Sequence, residues 1–245
     1  MARDDSGAGR TLSGPALLGE SPMSRRFRRL EHGLDPAPFL AELAARPDLW
    51  SLSAQRQSAV AVQRETEAVL VFDHGTDETF RQARERHPIT YVGRPTPAAE
   101  ALPRTTAFVR DLARRVHGVP GRAALVRLRP RGHVYEHVDQ GLYYHLRGRY
   151  HLVLKSVAGS PLRAGPETVR MREGELWWFD NRLPHEAVNE SDEERIHLIV
   201  DVLSPGSVLA LPIRILRSPA DSLRRLGRKL VRRRRRDVAP GQDAE

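Results

Sequence analysis

Two patterns of apolar and polar positions divide the chain. Ahead of residue 120 the apolar side chains recur every three to four positions, the spacing of an amphipathic helix. Phe39, Leu40, Leu43 and Ala44 form one such stripe. Leu34-Asp35-Pro36 opens it, with Asp35 placed as N-cap and Pro36 as the first helical residue, and Arg46-Pro47 ends it. A second helix is predicted over Thr106–Val116, with Phe108, Val109, Leu112 and Val116 on one face and Gly118 beyond its end. A strand near Glu67–Phe72 precedes it. From Ala123 the pattern becomes short runs of Val, Leu, Ile, Tyr and Trp between Gly, Pro, Asn and Asp. These predict strands near Ala123–Leu128, Val134–His137, Tyr150–Ser156, Glu167–Met171, Glu175–Phe179, His185–Asn189 and Arg195–Leu203. Short strands this close together fit a sandwich or barrel, not βαβ units. The expected fold is mainly β: a double-sheet jelly roll with the N-terminal helices packed outside it.

The ends of the chain break the pattern. Residues 1–27 are rich in Gly, Ser, Arg and Asp without periodicity and are expected to be a disordered leader. Residues 28–215 are the expected domain, and 216–245 a basic, Arg-rich tail. A helix over Pro219–Arg236 is suggested by Leu223, Leu226 and Leu230. The formal net charge of +9 is concentrated in this tail: nine basic residues and no acid lie between Arg224 and Arg236. Without those nine, basic and acidic residues are equal in number, so a nucleic-acid-binding role for the whole chain is not supported. The chain of 245 residues has no cysteine. Disulfides, thiol catalysis and cysteine-ligated zinc or Fe–S centres are thereby excluded. No apolar run is long enough to span a membrane or to form a secretory signal. A cytoplasmic location is expected, with contact to an anionic membrane or nucleic acid through Arg224–Arg236 as the alternative to a simply solvated tail.

Six of the ten histidines fall between His133 and His197. His137-Val138-Asp139 stands out, because residues i and i+2 at a strand end face the same way and can reach one ion. An isolated His-x-Asp is more often a surface pair, so the argument needs a third ligand. His185, in Asn181-Arg182-Leu183-Pro184-His185, is well placed on a later strand. Two His and one carboxylate on one face of an octahedron leave three positions open, which suits non-haem Fe(II); Zn²⁺ is the chemical competitor. Arg195 and Arg149 stand at the starts of two apolar strands. A guanidinium there needs a partner, either a protein carboxylate or a bound dicarboxylate.

With these residues in place, Leu128–Leu203 resembles the aspartyl/asparaginyl β-hydroxylase family of Fe(II)/2-oxoglutarate dioxygenases, whose bacterial members include free-proline cis-4-hydroxylases. The likeness is carried by His137-Val138-Asp139, Arg149-Tyr150-His151-Leu152, Gly174-Glu175-Leu176-Trp177-Trp178-Phe179-Asp180, His185 with Asn189, and Arg195-Ile196-His197-Leu198-Ile199-Val200-Asp201. The resemblance implies a cupin-like double-stranded β-helix in which His137, Asp139 and His185 bind Fe(II). It also implies that Arg195 pairs with the distal carboxylate of 2-oxoglutarate, helped by Arg149 and His151. O₂ would be the third reactant, and the substrate a small molecule or a peptidyl side chain. Family members acting on peptidyl aspartate in animals lack the carboxylate ligand, whereas Asp139 is present. Two rivals remain: a cupin-like metal or anion sensor without turnover, and a protein acting through its basic tail. His197 fits either a pocket wall or a hydrogen-bonded core, and Asp201 fits an ion pair with an Arg.

Overall fold

The computed structural model describes residues 26–53, 61–73, 82, 85–157 and 159–205. The predicted C-terminal helix, the basic run and the leader up to residue 25 lie outside the described residues. Helix α1 (Ala37–Ala45) begins one residue later than the sequence places it, with Pro36 as its N-cap, while Asp35 Oδ1 accepts a hydrogen bond from Ala37 N at 2.9 Å. Helix α2 (Pro97–Ala101) leads into α3 (Pro103–Arg115), which starts three residues earlier than its apolar stripe suggests. The Glu42 carboxylate of α1 explains the earlier start. It accepts from Thr105 N at 3.0 Å and Thr105 Oγ1 at 2.8 Å, satisfying donors that a helix N-terminus leaves free.

The strands are β1 (Phe27–Glu31), β2 (Thr66–Asp73), β3 (Arg94–Pro95), β4 (Val119–Leu128), β5 (His133–His137) and β6 (Arg147–Lys155). After a one-turn helix α4 (Leu142–Leu146) and β6 come β7 (Leu162–Ala164), β8 (Glu167–Val169), β9 (Leu176–Phe179), β10 (His185–Val188) and β11 (Arg195–Leu203). They form a seven-stranded sheet in the order β1-β9-β6-β11-β4-β2-β3 and a four-stranded sheet in the order β5-β10-β7-β8. Every pairing is antiparallel. From β4 onward the chain alternates between the sheets, with only β7 and β8 sharing a sheet in succession. That path is a jelly roll, the double-stranded β-helix. Among the described residues, no helix is long and apolar enough to cross a membrane.

The large sheet is covered on both faces. Its outer face packs Val69, Leu125, Leu198 and Val200 against Phe39, Leu43, Val109 and Leu112 of the helices. Its inner face packs Leu128, Val153 and Phe179 against Leu162, Ala164 and Ala187 of the small sheet. Trp177 and Trp178, adjacent on β9, go one to each side. Two-sided burial is why β6 and β11 read as continuous apolar runs. It also makes their polar residues informative. By strand alternation Arg149 and His151 on β6, and Arg195, His197 and Asp201 on β11, lie on the inner face beside Val153. The register sets Asp201 opposite Arg149, and His197 opposite Val153.

Two expectations differ from the structure. The last residue assigned to the leader, Phe27, begins β1 and is buried against Phe179, with ring centroids 5.8 Å apart. The single strand expected over Glu167–Met171 is the hairpin β7–β8, turned at Gly165, whose φ is +56°.

Candidate metal centre

The candidate centre is built on β5 and β10, which the register brings together so that His137 and His185 face each other directly. Their ring centroids are 4.2 Å apart. Asp139 lies two residues beyond the end of β5, where its backbone N donates to Asn181 O at 3.2 Å. His137, Asp139 and His185 each turn one ligand atom toward the others, all within 4.8 Å.

Local hydrogen bonds fix what these atoms offer. His137 Nδ1 lies 2.8 Å from Tyr135 O, and His185 Nδ1 lies 2.9 Å from Leu183 O. A backbone carbonyl can only accept, so both Nδ1 atoms carry a proton, which leaves Nε2 as the atom through which each neutral ring could bind an ion. Asp139 Oδ2 accepts from Asn181 Nδ2 at 2.8 Å and from Arg149 Nη1. These donors fix the rotation of the carboxylate. Burial works to raise its pKa, but Arg149, His185, His137 and the Asn181 bond hold it down at about 2. Burial lowers His185 to about 4 against the pull of Asp139. At neutral pH Asp139 is therefore a carboxylate and His185 a neutral imidazole, the protonation states a cation requires.

Acid stability follows from the same shifts. Folded His185 takes up a proton less readily than an unfolded histidine near 6.5. Its contribution is complete above that value and is lost as pH falls toward 4. It amounts to a loss on the order of 3 kcal/mol. Asp139 continues the loss between its unfolded value near 3.8 and about 2. The metal-free protein should melt at progressively lower temperature from pH 7 to 4.5. A flat melting profile over that range, by differential scanning fluorimetry in chelator, would contradict the burial described here.

Beside this group lies a second polar cluster. Arg195 is buried, and burial lowers its pKa to about 10, with no carboxylate among the described residues acting on it. Its Nη2 lies 3.2 Å from His197 Nδ1, which also lies 3.2 Å from His151 Nδ1. A guanidinium only donates, so His197 Nδ1 accepts from Arg195 and the neutral His197 ring carries its proton on Nε2. Burial, then the Arg195 charge, pushes both imidazoles well below their ordinary pKa. Arg195 Nε, His197 Nε2 and His151 Nε2 have no hydrogen-bond partner among the described residues. A buried cation with unused donors and no counterion is costly and fits an anionic ligand. The Phe179 ring connects the two clusters, 5.1 Å from His151 and 5.3 Å from His185.

All six residues singled out in the sequence thus lie in this region. Arg149 arrives with its guanidinium occupied: Nε and Nη2 bind Asp201, and Nη1 binds Asp139. The protein-carboxylate alternative left open for this residue describes the contacts observed. Asn181 was quoted in the His185 motif without a role. Nothing local reveals it, because its contact with Asp139 is tertiary.

The sequence profile described as aspartyl/asparaginyl beta-hydroxylase matches residues 56–205. That span holds both clusters and more than half of the chain. The chain belongs to the aspartyl/asparaginyl β-hydroxylase family. Membership makes it an oxygenase of hydroxylase type. No curated protein sequence matches the chain. Among solved structures, it is similar to a prolyl hydroxylase from Trichoplax adhaerens bound to a peptide fragment of hypoxia inducible factor. That likeness has 15% identity and a TM-score of 0.48, covering 76% of this chain and 87% of the other. It is also similar to a viral collagen prolyl hydroxylase from Paramecium bursaria Chlorella virus-1 in complex with 2-oxoglutarate. There the identity is 10% and the TM-score 0.46, covering 76% and 99%. Likenesses this distant carry no argument about substrate.

Proposed function

We propose that this family member is an Fe(II)/2-oxoglutarate-dependent hydroxylase. Its substrate is an unactivated C–H bond of an amino acid, a peptidyl side chain or an amino-acid-derived metabolite. The observation that supports this most directly is the pairing of a His-Asp-His group with a buried arginine that has no counterion among the described residues. A zinc site needs one open position, whereas a cosubstrate that chelates the metal and O₂ together need three. An adjacent anion cradle suits the cosubstrate.

In this reading His137 Nε2, His185 Nε2 and the Asp139 carboxylate hold the ferrous ion. Arg195, with His197 Nε2–H, holds the distal carboxylate of 2-oxoglutarate. Arg195 itself keeps His197 in the tautomer that donates from Nε2, and His151 stands beside them. When bound, the ion and cosubstrate supply the oxygen-activating chemistry, placing one oxygen atom of O₂ in the product hydroxyl and the other in succinate, with loss of CO₂. The protein's own part is to orient the reactants and to exclude water from the buried inner face. The catalytic unit would span residues 28–215, extended to Phe27 by the strand it starts. The tail would be dispensable for turnover.

The test is succinate release from 2-oxoglutarate with Fe(II) and O₂ present, across a panel of free amino acids and short peptides. Stimulated release by one substrate class, with a gain of one oxygen atom in its mass, is expected. Protein that binds iron and 2-oxoglutarate but yields no succinate with any member of the panel would favour the sensor reading.

A further inference from the structure

We infer that the end of the barrel bearing Ile89, Val92, Val119 and Leu142 is a docking surface for an anionic lipid bilayer. The inference stands apart from the catalytic reading. Among the described residues five large apolar side chains are exposed, and four of them are these. They come from three separate stretches that the fold gathers at one place. Gly93 N donates to Pro120 O at 2.9 Å, which brings together the segments of Val92 and Val119. Arg147 Nη1 donates to Pro88 O at 2.7 Å, next to Ile89, and the Arg147 guanidinium carbon lies 4.1 Å from the ring centroid of Tyr143, next to Leu142. The Tyr91 and Tyr143 rings meet edge to face, with centroids 5.1 Å apart, and tie these segments together. Ile89 is 62% exposed, and the other three between 37% and 44%. Single exposed apolar residues are ordinary, whereas four gathered from separate segments mark an interaction surface.

The sequence that follows β11 indicates the partner. β11 ends in the same place: Leu203 pairs with Val119 on one side and with Arg147 on the other. Beyond it the sequence carries Val208, Leu209, Leu211, Ile213, Ile215 and Leu216, and then the nine basic residues from Arg224 to Arg236. Around the patch itself, residues 85–94 hold Arg86 and Arg94 against one acid, Glu85. Apolar side chains combined with a basic run are the two signals that peripheral membrane attachment needs, since either alone gives marginal binding. Nucleic acid fits less well. It offers phosphate to the basic run but little to aliphatic side chains, and the stacking that single strands rely on needs aromatic rings. The one aromatic among the five exposed residues, Tyr135, lies on β5 of the small sheet, where its hydroxyl donates to Glu65 at 3.3 Å. Docking here would turn toward the bilayer the end of the barrel that holds Asp139, three residues before Leu142. Arg195, which starts β11 at its opposite end, would lie away from it.

Flotation of the full chain with vesicles tests this. Vesicles of mixed phosphatidylglycerol and phosphatidylcholine should retain wild type at low salt and release it at high salt, and phosphatidylcholine alone should retain little. Ile89→Ser/Val92→Ser/Leu142→Ser should weaken retention at least about 10-fold, through lost apolar insertion. Arg232→Glu/Arg233→Glu/Arg234→Glu should weaken it by about 100-fold. Circular dichroism verifies that both variants are folded. No retention of wild type on the anionic vesicles overturns the inference. So does undiminished retention of the folded apolar variant, which would leave the basic run acting alone. Tighter binding to duplex DNA than to the vesicles, by wild type and apolar variant alike, overturns it in favour of nucleic acid. Should the apolar variant fail to fold, a single cysteine serves instead, since the chain has none of its own. An environment-sensitive fluorophore on Ile89→Cys should shift to the blue on anionic vesicles, and the same label on Glu136→Cys, on the small sheet, should not. No shift at Ile89, or an equal shift at both positions, overturns the inference.

Discussion

Asp139→Ala should abolish turnover and weaken Fe(II) or Mn(II) binding by at least about 100-fold, the upper end of what losing a mere supporting partner of a ligand costs. Asp139 is the sole anion among the three proposed ligands. Its removal leaves two imidazoles and no anionic ligand. The Arg149 guanidinium is then balanced only by Asp201, and the remaining site carries no net negative charge to attract a divalent cation. The fold should survive, because Arg149 keeps its fork on Asp201 and does not become an unpaired buried charge. Circular dichroism would verify this, and metal titration with succinate assay would measure the loss. Asp139→Asn makes the same case without a change of volume, and should be nearly as damaging. A folded Asp139→Ala protein with wild-type metal affinity would remove His137, Asp139 and His185 from the role assigned to them.

Arg195→Met should raise the KM for 2-oxoglutarate roughly 100-fold, the effect of truncating one partner of a buried charge pair. Metal affinity should hardly change. The more telling outcome concerns the ligand-free protein. An arginine that stabilised the fold through an ion pair would lower the melting temperature when removed. Arg195 is buried with no carboxylate partner, and burial alone depresses its pKa. Its removal should leave the ligand-free protein as stable or more stable, since the desolvation cost goes with it. 2-Oxoglutarate should then stabilise wild type but not the variant in a thermal shift assay. A marked drop in ligand-free stability for Arg195→Met would mean that the guanidinium serves the fold and not a ligand.

What could be read in advance followed the physics of each element. β11 was predicted at its observed limits, Arg195–Leu203. A strand buried on both faces is mostly apolar, and in β11 only His197 and Asp201 interrupt the run after Arg195. β7, with three residues, and α4, with five, are too short to show a period and were invisible. β1 was hidden by its charges: Arg28, Arg29 and Glu31 leave Phe27 and Leu30 as its only apolar side chains. The His-x-Asp spacing and the strand carrying His185 were legible because the ligands and their anchors are local. His137 and His185 each bond a carbonyl two residues back in the chain. That Asp201 suits an ion pair with an Arg was legible, but its pairing with Arg149 in particular was not. Sequence spacing cannot show that residues 52 positions apart share one cross-strand pair.

The direct opposition of His137 and His185 across β5 and β10 has a mechanical side. A slip of one residue in that pairing would turn His185 to the far face of the small sheet. An ion held by both imidazoles would act as a rivet through the narrower layer, tying together segments separated by nearly fifty residues of chain. Loading and correct strand alignment would then be linked equilibria, so the protein would gain rigidity from its own reactive centre.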